Sequence, residues 1–289
     1  MKKIILTLLF VLIGTLSAED IFETIKIIPG AMTPIDDSGN LPIVGFAPVD
    51  SPTVAFSRMI IFMTVGERLN LSVINNDNEV HGFRWTFGGS DVTILPDDTA
   101  EVIFEPSAPG AYPFSDNTNY PFNIARGLSG VVIAKDAGDN FRDFVWFLND
   151  HDEEWLIALD QGESIDPATY KADYFTINGN SFPNTLSDTL AAVTGVVNET
   201  INIWIINGGL QVHSIHFHGY HATLLSQNGN PYPQPYSKDT FPGKQGVGIH
   251  TTITPWQPGT FPVHDHSLTA VTAKGFYPNG MLVYLNISE

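Results

Sequence analysis

One segment of this chain occurs twice in altered form. Val65-Gly66-Glu67-Arg68-Leu69-Asn70-Leu71-Ser72-Val73-Ile74-Asn75 is answered by Val197-Asn198-Glu199-Thr200-Ile201-Asn202-Ile203-Trp204-Ile205-Ile206-Asn207. In the first copy Leu69, Leu71 and Val73 alternate with polar residues, the period-two pattern of a half-buried strand. A His-Gly step follows each copy, at His81-Gly82 and His218-Gly219, and Pro109 to Phe114 is answered by Pro258 to Val263. A repeat of about 135 residues built from short strands calls for one architecture used twice. The expected fold is therefore all-β, with two tandem sandwiches.

The rest of the pattern supports this. Met59 to Val65, Phe83 to Phe87, Thr99 to Glu105 and Gly127 to Ala134 read as strands, separated by turn signals such as Gly88-Gly89, Pro96-Asp97-Asp98 and Pro109-Gly110. Asp143 to Asp150 has the look of a strand, and the acidic run from Asp150 to Glu154 ends it. Strand patterns resume at Tyr174. The expected organisation is a leader over 1–18, a first domain over 19–140, a connection over 141–173 and a second domain over 174–289.

Met1-Lys2-Lys3, the apolar run from Ile4 to Ile13 and Gly14-Thr15-Leu16-Ser17-Ala18 describe a secretory signal peptide cleaved after Ala18. The run is too short to span a bilayer, and no later stretch is longer. A periplasmic or secreted protein is expected. The net charge of −18 argues against nucleic-acid partners and anionic membrane surfaces. The chain has no cysteine. That excludes disulfides, thiolate zinc sites, iron–sulfur clusters and any blue copper site that needs a cysteine ligand.

The histidines carry the chemistry. Four of the nine fall between His213 and His221. His216 and His218 are two apart, so on a strand they share a face. His264 and His266 repeat that spacing. Imidazole suits copper, zinc, iron and nickel, and two H-x-H pairs in one chain form a metal signal. His151 and His250 have no such spacing and read as structural or surface residues.

Asn207-Gly208, His213-x-x-His216-x-His218-Gly219, Pro258-Gly259-Thr260-Phe261, His264-x-His266 and Gly280-Met281 together resemble the C-terminal pattern of multicopper oxidases. The tail from Asp265 to Ala270, with Lys274-Gly275, is more similar to the second domain of copper nitrite reductases. The resemblance implies two cupredoxin-like Greek-key sandwiches. In that family a type 1 copper, held by two histidines and a cysteine, feeds type 2 and type 3 coppers at a domain interface. Here Asp265 stands at the cysteine position, and His213 with Met281 remain of the type 1 set. The first domain has Glu79-Val80-His81-Gly82 and Ser115-Asp116-Asn117 where H-x-H motifs belong.

The resemblance thus implies a copper site of one or two ions on His216, His218, His264 and His266, not a trinuclear cluster. His81 matches a first-domain ligand that either completes this site or stands apart from it. Glu79 reads either as a proton donor or as a solvated turn carboxylate, and His221 as a proton relay beside the metal. Two-domain relatives are usually homotrimers, which implies the same here. The expected function is a copper oxidoreductase without type 1 copper, served by a small-molecule substrate or an external electron-donor protein. The alternatives are a non-catalytic copper-binding protein of copper homeostasis and a structural relic.

Overall fold

The computed structural model describes residues 19–52, 54, 59–89 and 91–289. The expected leader lies outside them. Among the described residues twenty strands form four sheets. Sheet I has the spatial order β2 (Leu41–Pro48), β1 (Glu19–Met32), β4 (Glu67–Asn75), β7 (Thr99–Phe104). Sheet II runs β3 (Ile60–Thr64), β9 (Ser129–Lys135), β8 (Gly110–Ser115), β5 (His81–Trp85), β6 (Val92–Ile94). Sheet III runs β11 (Tyr174–Ile177), β10 (Arg142–His151), β13 (Ile201–Asn207), β18 (Gly248–Ile253), β15 (Ala222–Gln227), β16 (Asn230–Lys238). Sheet IV runs β12 (Val193–Val196), β20 (Leu282–Ser288), β19 (Gly259–Asp265), β14 (His213–Phe217), β17 (Thr240–Gly243).

Sheets I and II enclose one core, where Leu69, Leu71 and Val73 meet Phe83, Phe114 and Val132. Sheets III and IV enclose a second, where Trp146, Ile203 and Ile205 meet Ile215, Phe217 and Val283. Both are cupredoxin-like Greek-key sandwiches. Alternation decides which residues enter each core, because successive side chains of a strand point to opposite faces.

The repeat extends to the unusual pairings. In the first half β1 pairs parallel with β4 and antiparallel with β2; in the second, β10 pairs parallel with β13 and antiparallel with β11. β10 is thus the counterpart of β1 and begins the second copy, although it lies inside the 141–173 stretch expected as a connection. Its composition explains the difference. Phe144, Trp146 and Leu148 enter the second core, while Val145 and Phe147 face the first half. A strand covered on both faces reads as one apolar run without alternation. Only the segment after it, with a helix over Glu153–Asp160 capped by Asp152, is connecting chain.

The halves meet sheet to sheet. Ala111, Val131 and Ile133 on the outer face of sheet II pack against Val145, Phe147, Trp204 and Ile206 on the outer face of sheet III. This burial is why β13 is buried at every position whereas β4, its counterpart, alternates. Among the described residues no helix is long and apolar enough to cross a membrane.

Candidate metal centre

The outer face of sheet IV carries the histidines. β14 and β19 run antiparallel with His216 opposite His264 and Ile215 opposite Asp265. Ile215, Phe217 and Val263 point into the core, so His216 and His264 point outward. His218 and His266 lie diagonally beside them. The ring centroids of His216 stand 4.7 Å from His218, 5.6 Å from His264 and 5.6 Å from His266. The structure therefore gathers all four members of the two H-x-H pairs.

Hydrogen bonds fix what these rings offer. His264 Nδ1 lies 2.8 Å from the Asp265 carbonyl oxygen, which only accepts. Nδ1 therefore carries the proton and Nε2 keeps its lone pair. His218 Nε2 stands 3.0 Å from His264 Nε2. Partial burial and the neighbouring His216 and His264 hold the His218 pKa below its ordinary value, which favours the unprotonated ring. His216 Nδ1 lies 2.7 Å from the Thr240 hydroxyl, contributed by β17.

These donors fit a copper ion. Two nitrogens 3.0 Å apart are spaced as two ligands of one ion would be, given metal–imidazole bonds of about 2.0–2.1 Å. Among the described residues no group of three or more His, Asp or Glu side chains is gathered as a ready ligand set. The arrangement is one pair at ligand spacing, with His216 and His266 beside it.

His213 is placed elsewhere. It is buried on the inner side of β14, with Nδ1 2.7 Å from Asp265 Oδ2 and Nε2 3.0 Å from Asp150 Oδ2. Burial alone would lower its pKa, but the hydrogen bonds and charges of Asp150 and Asp265 outweigh it and raise the pKa to about 9. His213 is an imidazolium between two carboxylates. Asp265 also accepts from the Ser267 N–H at 2.7 Å through its other oxygen, so it anchors the turn bearing His264 and His266.

The first half holds a second version of this clamp. In β5 and β8 Arg84 stands opposite Ser115 and Trp85 opposite Phe114, as His216 stands opposite His264 and Phe217 opposite Val263. This register makes His81 the counterpart of His213, and the His81-Gly82 step does not align with His218-Gly219. Asn75 and Asn207 confirm the frame. Each lies six residues before its histidine and bonds two backbone carbonyls, of Glu79 and Ile94 or of Gln211 and Gly243. His81 is fully buried, with Nδ1 2.8 Å from Asp116 and Nε2 2.8 Å from Asp77. Burial opposes, but both carboxylates together raise its pKa.

Both His81 nitrogens are thus engaged by carboxylates within its own sandwich, away from the quartet. Arg84, Thr86, Ser115 and Asn117 stand where the second half has His216, His218, His264 and His266, and they line a cavity of about 430 Å³ between the halves. Glu79 bonds Arg126 at 2.9 Å and does not join the histidines. His221 is exposed, and no hydrogen bond or ring contact ties it to the quartet among the described residues.

Sequence reasoning missed Asp150, Asp77 and Thr240. Asp150 comes from another strand, and no spacing rule links it to His213. The Asn75/Asn207 frame was the available signal for the clamps.

Residues 159–278 match the multicopper oxidase family model. The chain resembles multicopper oxidases and copper nitrite reductases over nearly its whole length. The blue copper oxidase of Nitrosomonas europaea superposes with a TM-score of 0.79 at 20% identity, over 93% of this chain and 86% of that one. The multicopper oxidase mgLAC gives 0.78 at 22% identity, over 94% and 87%. The copper nitrite reductase of Nitrosomonas europaea gives 0.74 at 17% identity, over 94% and 95%. Identities this low carry the fold. No curated protein sequence matches the chain.

Proposed function

We propose that this protein is an exported, multicopper-oxidase-like copper oxidoreductase. His216, His218, His264 and His266 hold one or two copper ions, and electrons come from an external donor protein or from the substrate. The observation that carries this reading is the His218–His264 pair at 3.0 Å, with the His264 tautomer set by the Asp265 carbonyl. Bound copper would supply one-electron redox chemistry and Lewis acidity on the open face of sheet IV. The chain's own residues orient the ligands. Thr240 holds His216, and Asp265 holds the turn that carries the second pair.

The absence of cysteine and the two carboxylate clamps support a protein without type 1 copper. At His213, where the family resemblance puts that centre's first histidine, and at its register counterpart His81, aspartates engage both ring nitrogens. Arg84, Thr86, Ser115 and Asn117, at the matching positions of the first half, supply no imidazole, which favours one or two ions over three. A homotrimer in which a neighbouring copy covers the open face is part of this proposal.

Copper analysis of the purified protein, electron paramagnetic resonance and assays with phenolic donors, Fe(II) and nitrite test it. A type 2-like signal with turnover is expected. Firm copper binding without turnover in any assay would instead support a copper-binding protein of homeostasis, a reading that the exposure of His218 and His266 favours.

A further inference from the structure

A second cavity, of about 510 Å³, opens where the 136–141 segment and Pro109 of the first half meet β13, β15 and β18 of the second. Phe141, Leu225 and Pro231 form much of its wall. His250, which no sequence spacing singled out, lines it. The His250 ring lies flat on Trp204, with centroids 3.7 Å apart and planes 14° from parallel. Its Nε2 stands 3.0 Å from Asn202 Oδ1.

The protonation of this imidazole is set from the far end of a chain of contacts. Asn202 Nδ2 lies 2.8 Å from Asp139 Oδ2 and 3.1 Å from Asp143 Oδ1. Carboxylates only accept, so the amide nitrogen must face them and the amide oxygen must face His250. His250 Nε2 therefore carries the hydrogen and donates it. Asp143 is itself fixed by Lys135 at 2.5 Å and by the Trp204 indole N–H at 2.8 Å. Burial lowers the His250 pKa to about 4 against the pull of Asp139 and Asp143, so the ring is neutral near pH 7. What remains is Nδ1, a bare acceptor, and among the described residues no protein hydrogen bond reaches it.

Lys135, Asp143, Asn202 and His250 thus leave one acceptor, Nδ1, on a ring that lines a largely apolar cavity. The carboxylates of Asp136 and Asp139 disfavour an anion. Asp139 is already engaged by Asn202 and stands 3.8 Å from Lys135, which leaves it little call for a cation. We propose that this cavity binds a small neutral apolar molecule bearing one O–H or N–H donor, which hydrogen-bonds His250 Nδ1 while its body fills the space between Phe141, Leu225 and Pro231. This site is separate from the sheet IV face and does not depend on metal there.

The test uses two probes of nearly equal shape, 4-methylphenol and toluene, titrated into the full chain and followed by tryptophan fluorescence and calorimetry. Saturable binding of 4-methylphenol is expected, about tenfold tighter than toluene, the worth of one net hydrogen bond. His250→Phe keeps a ring on Trp204 but removes the acceptor, and should bring 4-methylphenol down to the level of toluene. In the unsubstituted protein the His250 Nδ1 nitrogen resonance should move on adding 4-methylphenol, a readout that needs no variant. Equal binding of the two probes, no saturable binding of either, an unmoved resonance, or a folded His250→Phe variant that binds 4-methylphenol as before would overturn the proposal.

Discussion

Asp150 occupies the space that Gly209 leaves open. A Cβ on Gly209 would stand 2.1 Å from Asp150 Oδ2 and 2.9 Å from the Asp150 backbone nitrogen. In the first half the register puts Asp77 at the position of Gly209, and there Asp77 itself supplies the second carboxylate to the histidine. The two copies thus reach the same clamp by different routes. One uses a local aspartate; the other removes the side chain and admits an aspartate from β10.

Gly209→Ala should therefore destabilise the fold by about 1–3 kcal/mol, the usual cost of forcing an atom into packed space. Part of that space is bounded by backbone, so a rotamer change alone does not relieve it. Gly138→Ala, where an added Cβ meets nothing within 4 Å, is the control and should be near neutral. Denaturant midpoints of the two variants decide the matter.

The clamp on His213 predicts an alkaline loss of stability. The folded pKa is raised to about 9 from an ordinary 6.5, so the contribution is complete below about pH 6.5 and is lost as pH rises through 9. The shift corresponds to about 3 kcal/mol. Thermal midpoints should fall between pH 7 and 9.5, and Asp265→Asn should start lower and flatten that fall. A flat wild-type profile over this range would refute the assignment of His213 as an imidazolium.

Copper binding should depend on the outer face of sheet IV alone. His218→Ala and His264→Ala should abolish the rise in melting temperature on adding copper, since a ligand of the native state stabilises it. Thr240→Val should weaken copper about 10- to 100-fold, as loss of an orienting partner does. Its hydroxyl holds His216, so circular dichroism should be unchanged. Competition titration with a chelator measures all three.

The first-half clamp should behave as structure only. Asp116→Ala leaves His81 buried with one carboxylate and strips Asn123 of its 2.7 Å partner, so a loss of about 3–5 kcal/mol is expected. Glu79→Gln, which breaks a half-exposed ion pair with Arg126, should cost under about 1 kcal/mol. Copper stoichiometry should be the same in Glu79→Gln as in the parent protein.

Much of this was legible in the sequence because strands have a short period. His216, His218, His264 and His266 are two apart in pairs, and a strand turns that spacing directly into a shared face. The tandem sandwiches followed from the Val65 and Val197 segments for the same reason. What escaped depended on register between distant strands. The dipeptide His81-Gly82 invited comparison with His218-Gly219, yet pairing of β5 with β8 sets His81 beside Asp116 and so equates it with His213. Asp150 and His213 are 63 residues apart and meet only because β10 lies beside β13. His250 was invisible for a related reason, since its tautomer is set by Asn202 and Asp143 from two other strands.

The place of β10 also limits how the protein can be cut. The family match begins at residue 159, after that strand has ended. A fragment excised there, or at Tyr174 where the strand pattern resumes, would keep every histidine of the quartet. It would nonetheless leave β13 with a raw edge, empty the second core of Trp146 and Leu148, and leave His213 with a single carboxylate. A fragment that is to keep the second core and both carboxylates on His213 must accordingly begin no later than Arg142.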